Sequence, residues 1–440
     1  MMAKPMKYFL SLLFAVSVPF TPSAHAGSIV TAATCNRPDV QVVINAAQDG
    51  DTVVIPAGTC HWTTNLTVSP HAVTIQGAGI DQTIIVDDVP KGVGEDRLLM
   101  INLPTTGFFR LTGMTFQGGN TVTGYNGTVI LQGLSHTWRL DHLKFDKLKT
   151  VGIHTYGHLY GVIDHCTFDL TDSTGQAHHG IEVWHDAWNN HSYGDGSFAD
   201  QLYLGTEKAV YIEDNTFMNS VYVAVDDIVA GGRMVFRYNT LTNSFFATHG
   251  TETSDRYRGV RSYEIYNNTL TYPIDPVTGA GAWAFGLYLR GGTGVIFNNT
   301  FTGFVSAIIM ANYRSPGLNQ TSPIWGLCDG TNAWDENVGL QTGYACLDQV
   351  GRGTSDLLVG SSPTPAWPHQ VSQPLYGWAN TWNPVHNNPG ALMGSQSAVI
   401  QENRDYFTNT PLPGYTPYTY PHPLTLTGPL PSPPTSLRLN

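Results

Sequence analysis

Val210-Tyr211-Ile212-Glu213-Asp214, then Asn215, then Thr216-Phe217-Met218, then Tyr222-Val223-Ala224-Val225-Asp226 reads as three short strands separated by tight turns. β-Branched and aromatic residues alternate along each run, the mark of half-buried strands. Three such strands make one coil. The middle of the triplet, a small or amide residue followed two places later by Phe or Leu, recurs down the chain. The copies are Met114 and Phe116, Leu143 and Phe145, Cys166 and Phe168, Asn215 and Phe217, Asn239 and Leu241, Asn268 and Leu270, and Asn299 and Phe301. The shortest intervals, Phe145 to Phe168 and Phe217 to Leu241, set the unit at about two dozen residues, the scale of a solenoid repeat. Stacked coils pair each strand in parallel with its equivalents at about 4.8 Å. The Phe positions then form an internal stack, and the asparagines form a ladder whose amides satisfy buried main-chain groups. That role is structural.

The N-terminus carries Lys4 and Lys7, an apolar run from Tyr8 to Phe20, and Ala24-His25-Ala26 before Gly27. Residues 1–26 therefore read as a bacterial-type Sec signal peptide, with an apolar core too short for the roughly 20 residues that cross a bilayer. Export to the periplasm or the medium is expected, with no membrane span and a monomeric mature protein. Charged residues make up only 12% of the chain, against 46 Gly and 27 Pro, which suits a turn-rich all-β protein. A net charge of −12 argues against a nucleic-acid partner, and it makes an anionic substrate depend on a cation or a local arginine. Five cysteines in an exported chain suggest two disulfides and one spare thiol. Proximity selects Cys35 with Cys60 and Cys328 with Cys346. Cys166 sits on the ladder and reads as a buried, inert thiol.

The stretch Asp49-Gly50-Asp51-Thr52-Val53-Val54-Ile55-Pro56-Ala57-Gly58-Thr59, followed by Val73-Thr74-Ile75-Gln76-Gly77-Ala78-Gly79, resembles the entry to the pectate-lyase-like right-handed parallel β-helix superfamily. The resemblance covers about residues 39–315. It implies a helix over 39–49 capping the open end of the first coil, and a fold shared by lyases, hydrolases, epimerases and adhesins. The expected organisation is a signal peptide over 1–26, a capped β-helix over 27–315, and a tail over 316–440. That tail, irregular and rich in Pro, Trp and Tyr, is expected to fold back onto the helix. It resembles the tails of bacterial secreted β-helix proteins.

Ionisable and polar residues collect at the end of one strand, coil after coil. They are Tyr156; Glu182, Trp184 and Asp186; Asp226 and Asp227; His249; and Tyr288 with Arg290. Clustered carboxylates repel one another unless a cation or a chemical role compensates. Glu182, Asp186, Asp226 and Asp227 are therefore candidate ligands for Ca²⁺, a hard cation that takes oxygen donors. Loops at 187–208 and 250–259 add Trp188, Arg256 and Arg258 as walls of a groove. Trp184, Trp188 and Tyr288 are candidate sugar platforms, and Arg256 and Arg258 candidate contacts to substrate. His178, His179, His185 and His191 match no zinc spacing.

Three functions follow in order. The first is a polysaccharide lyase, in which cation-assisted β-elimination of a uronate chain uses Asp226, Asp227, His249, Arg290 and Tyr156, with His249 or Arg290 as base and Tyr156 as proton donor. The second is a glycoside hydrolase working through paired carboxylates. The order Asp186, Asp226-Asp227, His249-Gly250, Arg290 loosely resembles polygalacturonases, although Asp186 stands in Trp-His-Asp and Arg290 is followed by Gly-Gly. The third is a non-catalytic glycan-binding scaffold.

Overall fold

The computed structural model describes residues 27–91, 97–120, 124, 127–171, 179–185, 198–219, 223–225, 228–252, 258–273, 283–316, 318, 325–329, 335, 345–356, 369–384 and 390–426. They form the expected right-handed parallel β-helix, with its strands in a 20-stranded and a 10-stranded sheet. The larger sheet is two faces bent about a sharp turn. Phe109–Gly118 and Trp138–Asp146 run straight through that bend, while later coils split there into pairs such as Val210–Glu213 and Thr216–Met218. The smaller sheet is the third face and carries the candidate site. A helix over Arg37–Ala46, with Val40 and Ile44 buried, caps the first coil where the sequence placed it. Among the described residues no helix is long and apolar enough to cross a membrane.

The register is the one the repeat implies. Phe145 pairs with Phe116 and Phe168, Phe168 with Phe217, Phe217 with Leu241, Leu241 with Leu270, and Leu270 with Phe301. Rings at 145, 168 and 217 stack nearly parallel at 4.8 and 4.7 Å. Beside this column the Asn Oδ1 atoms accept main-chain N–H groups one coil back: Asn239 from Asn215 (3.0 Å), Asn268 from Asn239 (2.9 Å) and Asn299 from Asn268 (3.1 Å). The residue before each rung lies in the left-handed region, at φ 57° for Asp214 and Tyr238, 58° for Asn267 and 54° for Asn298. This tight turn leaves N–H and C=O groups that no strand can reach, and the ladder amides satisfy them. Cys166 takes a rung without an amide. Its thiol is fully buried and burial pushes its pKa up, as expected of an inert group.

Both expected disulfides are present, Cys35 with Cys60 and Cys328 with Cys346. The expected boundary at 315 moves. Leu375–Trp378, Thr381–Asn383 and Met393–Ser395 pair in parallel with the strands of the preceding coil, so the solenoid continues into the tail. Asn380 extends the ladder by accepting from Asn299 N–H at 3.0 Å, and Trp382 takes the Phe register opposite Phe301. Proline-rich flanks hide this extra coil from a pattern search. The remainder folds back over the coils. Tyr415 donates to Glu264, and Arg237 donates to the carbonyls of Tyr418 (2.8 Å) and Thr419 (2.9 Å). Arg139 reaches the Thr425 carbonyl at 2.9 Å. The strap therefore runs back across several coils.

Two outcomes test this fold. Phe217→Ala should lower unfolding free energy by about 3–5 kcal/mol in a denaturant titration, since the ring is fully buried between stacked neighbours. Glu264, beneath the strap, is pushed up to about 7 by burial, against the Tyr415 and Gly205 hydrogen bonds and the Arg237 charge, which lower it. A carboxyl raised in the fold contributes stability that is complete below its unfolded pKa and is lost as pH rises through the folded one. The melting temperature of the native chain minus that of Glu264→Gln should therefore fall between pH 5 and pH 8.

Candidate functional site

Strand register sets out the site. On the smaller sheet Asn102 pairs with Gln132, Gln132 with Tyr156, and Tyr156 with Trp184. Ile181 pairs with Val225, Val225 with Phe246, and Phe246 with Leu287. Trp184, His249 and Arg290 therefore occupy equivalent places on their coils, and the row Asn102, Gln132, Tyr156, Trp184, His249, Arg290 runs along the helix axis on the outer side. Alternate residues, Ile181, Val183, Phe246, Thr248, Leu287 and Leu289, turn inward and are fully buried. The row exists because strands alternate faces and coils repeat in register.

At one end stands a group of three. Glu252 Oε2 accepts from His249 Nδ1 at 2.8 Å and from Arg290 Nη1 at 2.9 Å, and its Oε1 accepts the Gly250 N–H at 3.1 Å. Arg290 Nη2 lies 2.6 Å from His249 Nε2. A guanidinium has no lone pair to accept with, so Arg290 donates and Nε2 accepts, which leaves the ring proton on Nδ1 facing Glu252. Arg290 is further held by Nε donating to the Thr248 carbonyl at 2.8 Å, and it lies 5.0 Å from the Tyr313 ring centre. Burial alone would raise the Glu252 carboxyl, but the Arg290 charge, His249 and the Gly250 N–H outweigh it and lower its pKa. A Cβ at Gly250 would come within 2.4 Å of the Arg290 carbonyl, so this close approach requires glycine. The tail contributes from behind, where Asp348 takes Arg258 at 2.8 Å and the Gly259 N–H at 2.9 Å.

At the other end Tyr156 and Trp184, both partly exposed, stand 6.5 Å apart, with His154 5.2 Å from Trp184. Glu182 lies beneath them, fully buried, with His179 Nδ1 at 2.8 Å and His154 Nδ1 at 3.6 Å. Beyond it His158 Nε2 meets the Tyr160 hydroxyl at 2.5 Å, with His185 packed alongside. Burial drives His158 down to about 4 and lowers His185 strongly, so neither carries charge at neutral pH.

Several sequence expectations change. Arg258, expected to touch substrate, is fully buried in its pair with Asp348 and acts as a support. Tyr156 lies four strand steps from Arg290 and three from His249, roughly 19 and 14 Å along the axis, too far to share one bond with them. Tyr288 is buried, stacked on Phe285 at 4.3 Å under Arg290, and burial with the Tyr313 hydrogen bond raises its phenol. It is a floor rather than an open platform. Trp184 is partly exposed, as a platform would be. Asp186, Trp188, Asp226, Asp227 and Arg256 lie outside the described residues, as do His178 and His191. Of the expected Ca²⁺ ligands only Glu182 is described, and imidazoles surround it where calcium takes oxygens, so its surroundings do not fit that ion. Cys328, Asp335 and Cys346 converge, but the sulfurs are bonded to each other and Asp335 is held by Arg314, which rules out a thiolate site. From the sequence Glu252 belongs only to the loop at 250–259 and His179 only to a histidine group without a zinc spacing, and His154 carries no role. The only trace of the Glu252 contact is its place three residues after His249.

No family model matches the chain, and no curated protein matches it. Among solved structures it is similar to an alginate lyase from Paenibacillus sp. str. FPU-7, at 15% identity and TM-score 0.35, over 68% of this chain and 97% of that one. It is also similar to the catalytic domain of a GH87 α-1,3-glucanase, at 13% identity and TM-score 0.30, over 90% of this chain and 70% of that one. A third is a galactohydrolase acting on a sulfated galactose and anhydrogalactose polymer, at 12% identity and TM-score 0.24, over 88% of this chain and 89% of that one. Likeness at this level assigns this chain no substrate.

Glu252→Gln should lower stability by about 2–4 kcal/mol at neutral pH, because it removes the charge that two buried groups share. A carboxyl depressed in the fold contributes stability present above its unfolded pKa and lost as pH falls through the folded one. The gap between native and variant melting temperatures should therefore close as pH drops below the carboxylate range.

Proposed function

We propose that the chain is an exported carbohydrate-active enzyme that cleaves a uronate-containing polysaccharide by β-elimination. The observation that carries this reading is the juxtaposition of His249 Nε2 and the Arg290 guanidinium, 2.6 Å apart on the groove side of one sheet, with Glu252 bound to both. β-Elimination needs a base for the proton α to a carboxyl group and a positive charge for that carboxylate while the carbanion character develops. His249 Nε2 takes the proton, and the C–H electron pair becomes the new double bond. The C–O bond to the next sugar breaks with its pair on oxygen, which then collects a proton. Arg290 faces the carboxylate, for which a planar guanidinium is well shaped. Glu252 fixes the ring with its proton on Nδ1, so that the lone pair is on the substrate side. Solvent in the groove supplies the proton that the leaving oxygen collects, since Tyr156 stands too far along the axis to do so. Tyr156 and Trp184 then hold sugars further along the groove. In this design Arg290 supplies the charge that an acidic protein otherwise lacks.

Hydrolysis is the second reading, and it needs a carboxylic acid held protonated near neutral pH. Glu252 is shifted the opposite way and Glu182 is engaged by two imidazoles. A hydrolase would have to use Asp226 and Asp227 instead.

The purified chain should be screened against plant, algal and animal polysaccharides, following ultraviolet absorbance of unsaturated ends and new reducing ends together. We expect both to rise on a uronate polymer, to survive a chelator, and to fall about 10²–10⁴-fold in kcat with His249→Ala. Reducing ends without absorbance would replace the reading with hydrolysis, and silence in both channels would favour a binding scaffold.

A further inference from the structure

Arg290 Nη2 sits on the one atom of His249 that a base must have free. The geometry points to Arg290 as a specificity device: in the resting protein it caps Nε2, and only a ligand carboxylate that draws the guanidinium away uncovers the base. This inference rests on the proposed β-elimination, and it names what selects the substrate, which is the carboxylate itself rather than the sugar that carries it.

Three features of the cluster support it. Nε2 receives a charge-assisted donor at 2.6 Å, so its lone pair is occupied. Arg290 is also held through Nε by the Thr248 carbonyl and through Nη1 by Glu252, so its rigid planar head uncovers Nε2 by tilting as a unit about that edge. The side chains of His249 and Arg290 keep 8% and 10% of their exposure, enough for a small anion to reach the pair from the groove. A carboxylate is a better acceptor for a guanidinium than an imidazole nitrogen, and it binds in a two-pronged way. The ring itself does not turn when this happens, because Glu252 keeps hold of Nδ1. A neutral sugar, or a uronate blocked as its methyl ester, offers no charge to draw Nη2 off and leaves the base capped. The discrimination is therefore made before any chemical step, by a contact inside the protein that the correct substrate must break.

The test reads the His249 lone pair directly and needs no turnover, so it stands whether or not the lyase reading does. Carbethoxylation of His249 by diethyl pyrocarbonate, followed by peptide mass mapping, is measured on the full mature chain with sodium acetate or with sodium chloride at equal ionic strength. Acetate offers a carboxylate too small to shield the ring. Acetate should speed modification of His249 about tenfold over chloride, the rate effect of one charge-assisted hydrogen bond. Arg290→Gln should react at that faster rate in either salt, with an unchanged far-ultraviolet circular dichroism spectrum. Equal rates in acetate and chloride for the native chain would overturn the inference without any variant. So would an Arg290→Gln protein that folds and reacts as slowly as the native one. If an active polymer is in hand, native enzyme should prefer the free acid to its methyl ester in kcat/KM and Arg290→Gln should lose that preference. A preference retained by the variant would also count against the cap.

Discussion

Parallel register between coils is the constraint on which everything else depends, and the amide ladder at the left-handed turn enforces it. Each asparagine rung accepts the main-chain N–H of the previous rung and donates to the carbonyl two residues before it and to one on the preceding coil. Slipping one coil by one residue would strand these groups and turn every inward side chain outward. Because the ladder lies beside the phenylalanine column, polar satisfaction and apolar packing specify the same alignment. The C-terminal segment enters that alignment through Asn380 and Trp382, which is why so proline-rich a stretch still adds a coil.

Once register is set, the candidate site follows from arithmetic on strands. Outer positions repeat at about 4.8 Å along the axis, so residues as far apart in sequence as His249 and Arg290 become neighbours in one row. The regular coil supplies His249 and Arg290, and the loop after His249 supplies Glu252. The tail supplies Asp348, which neutralises Arg258 and carries the turn behind His249 and Gly250. Charge is balanced locally: Glu252 with Arg290, Asp348 with Arg258, Glu213 with Arg237, Asp141 with Arg110. A chain with a net charge of −12 thus presents a guanidinium in its groove while pairing these buried ions with one another.

The strap along one face of the larger sheet completes the solenoid. Sheet faces with alternating residues expose apolar rows unless something covers them, and here Tyr211, Val235 and Tyr266 are covered by Tyr418 and Leu424. Arg237 joins the two layers by donating to Glu213 and to two strap carbonyls. The aromatic content of the tail, unexpected in a linker, is the content needed to seal this face.

The amino-acid sequence alone determined the fold class, the coil register from Phe116 to Phe301, the capping helix and both disulfides, because periodic burial and turn chemistry are local and leave a repeating trace. It also marked His249 and Arg290, as ionisable residues at equivalent places in the coil. The tertiary structure decided the rest. Whether Arg258 faces substrate or Asp348 depends on a residue ninety positions away, which no local pattern contains. That Glu252 pairs with His249 and Arg290, that Tyr156 stands several strands from them, and that the chain beyond 315 forms a further coil are all consequences of three-dimensional stacking. Contacts of that kind come from the closing of long loops, and their geometry is set only when the coils are in place.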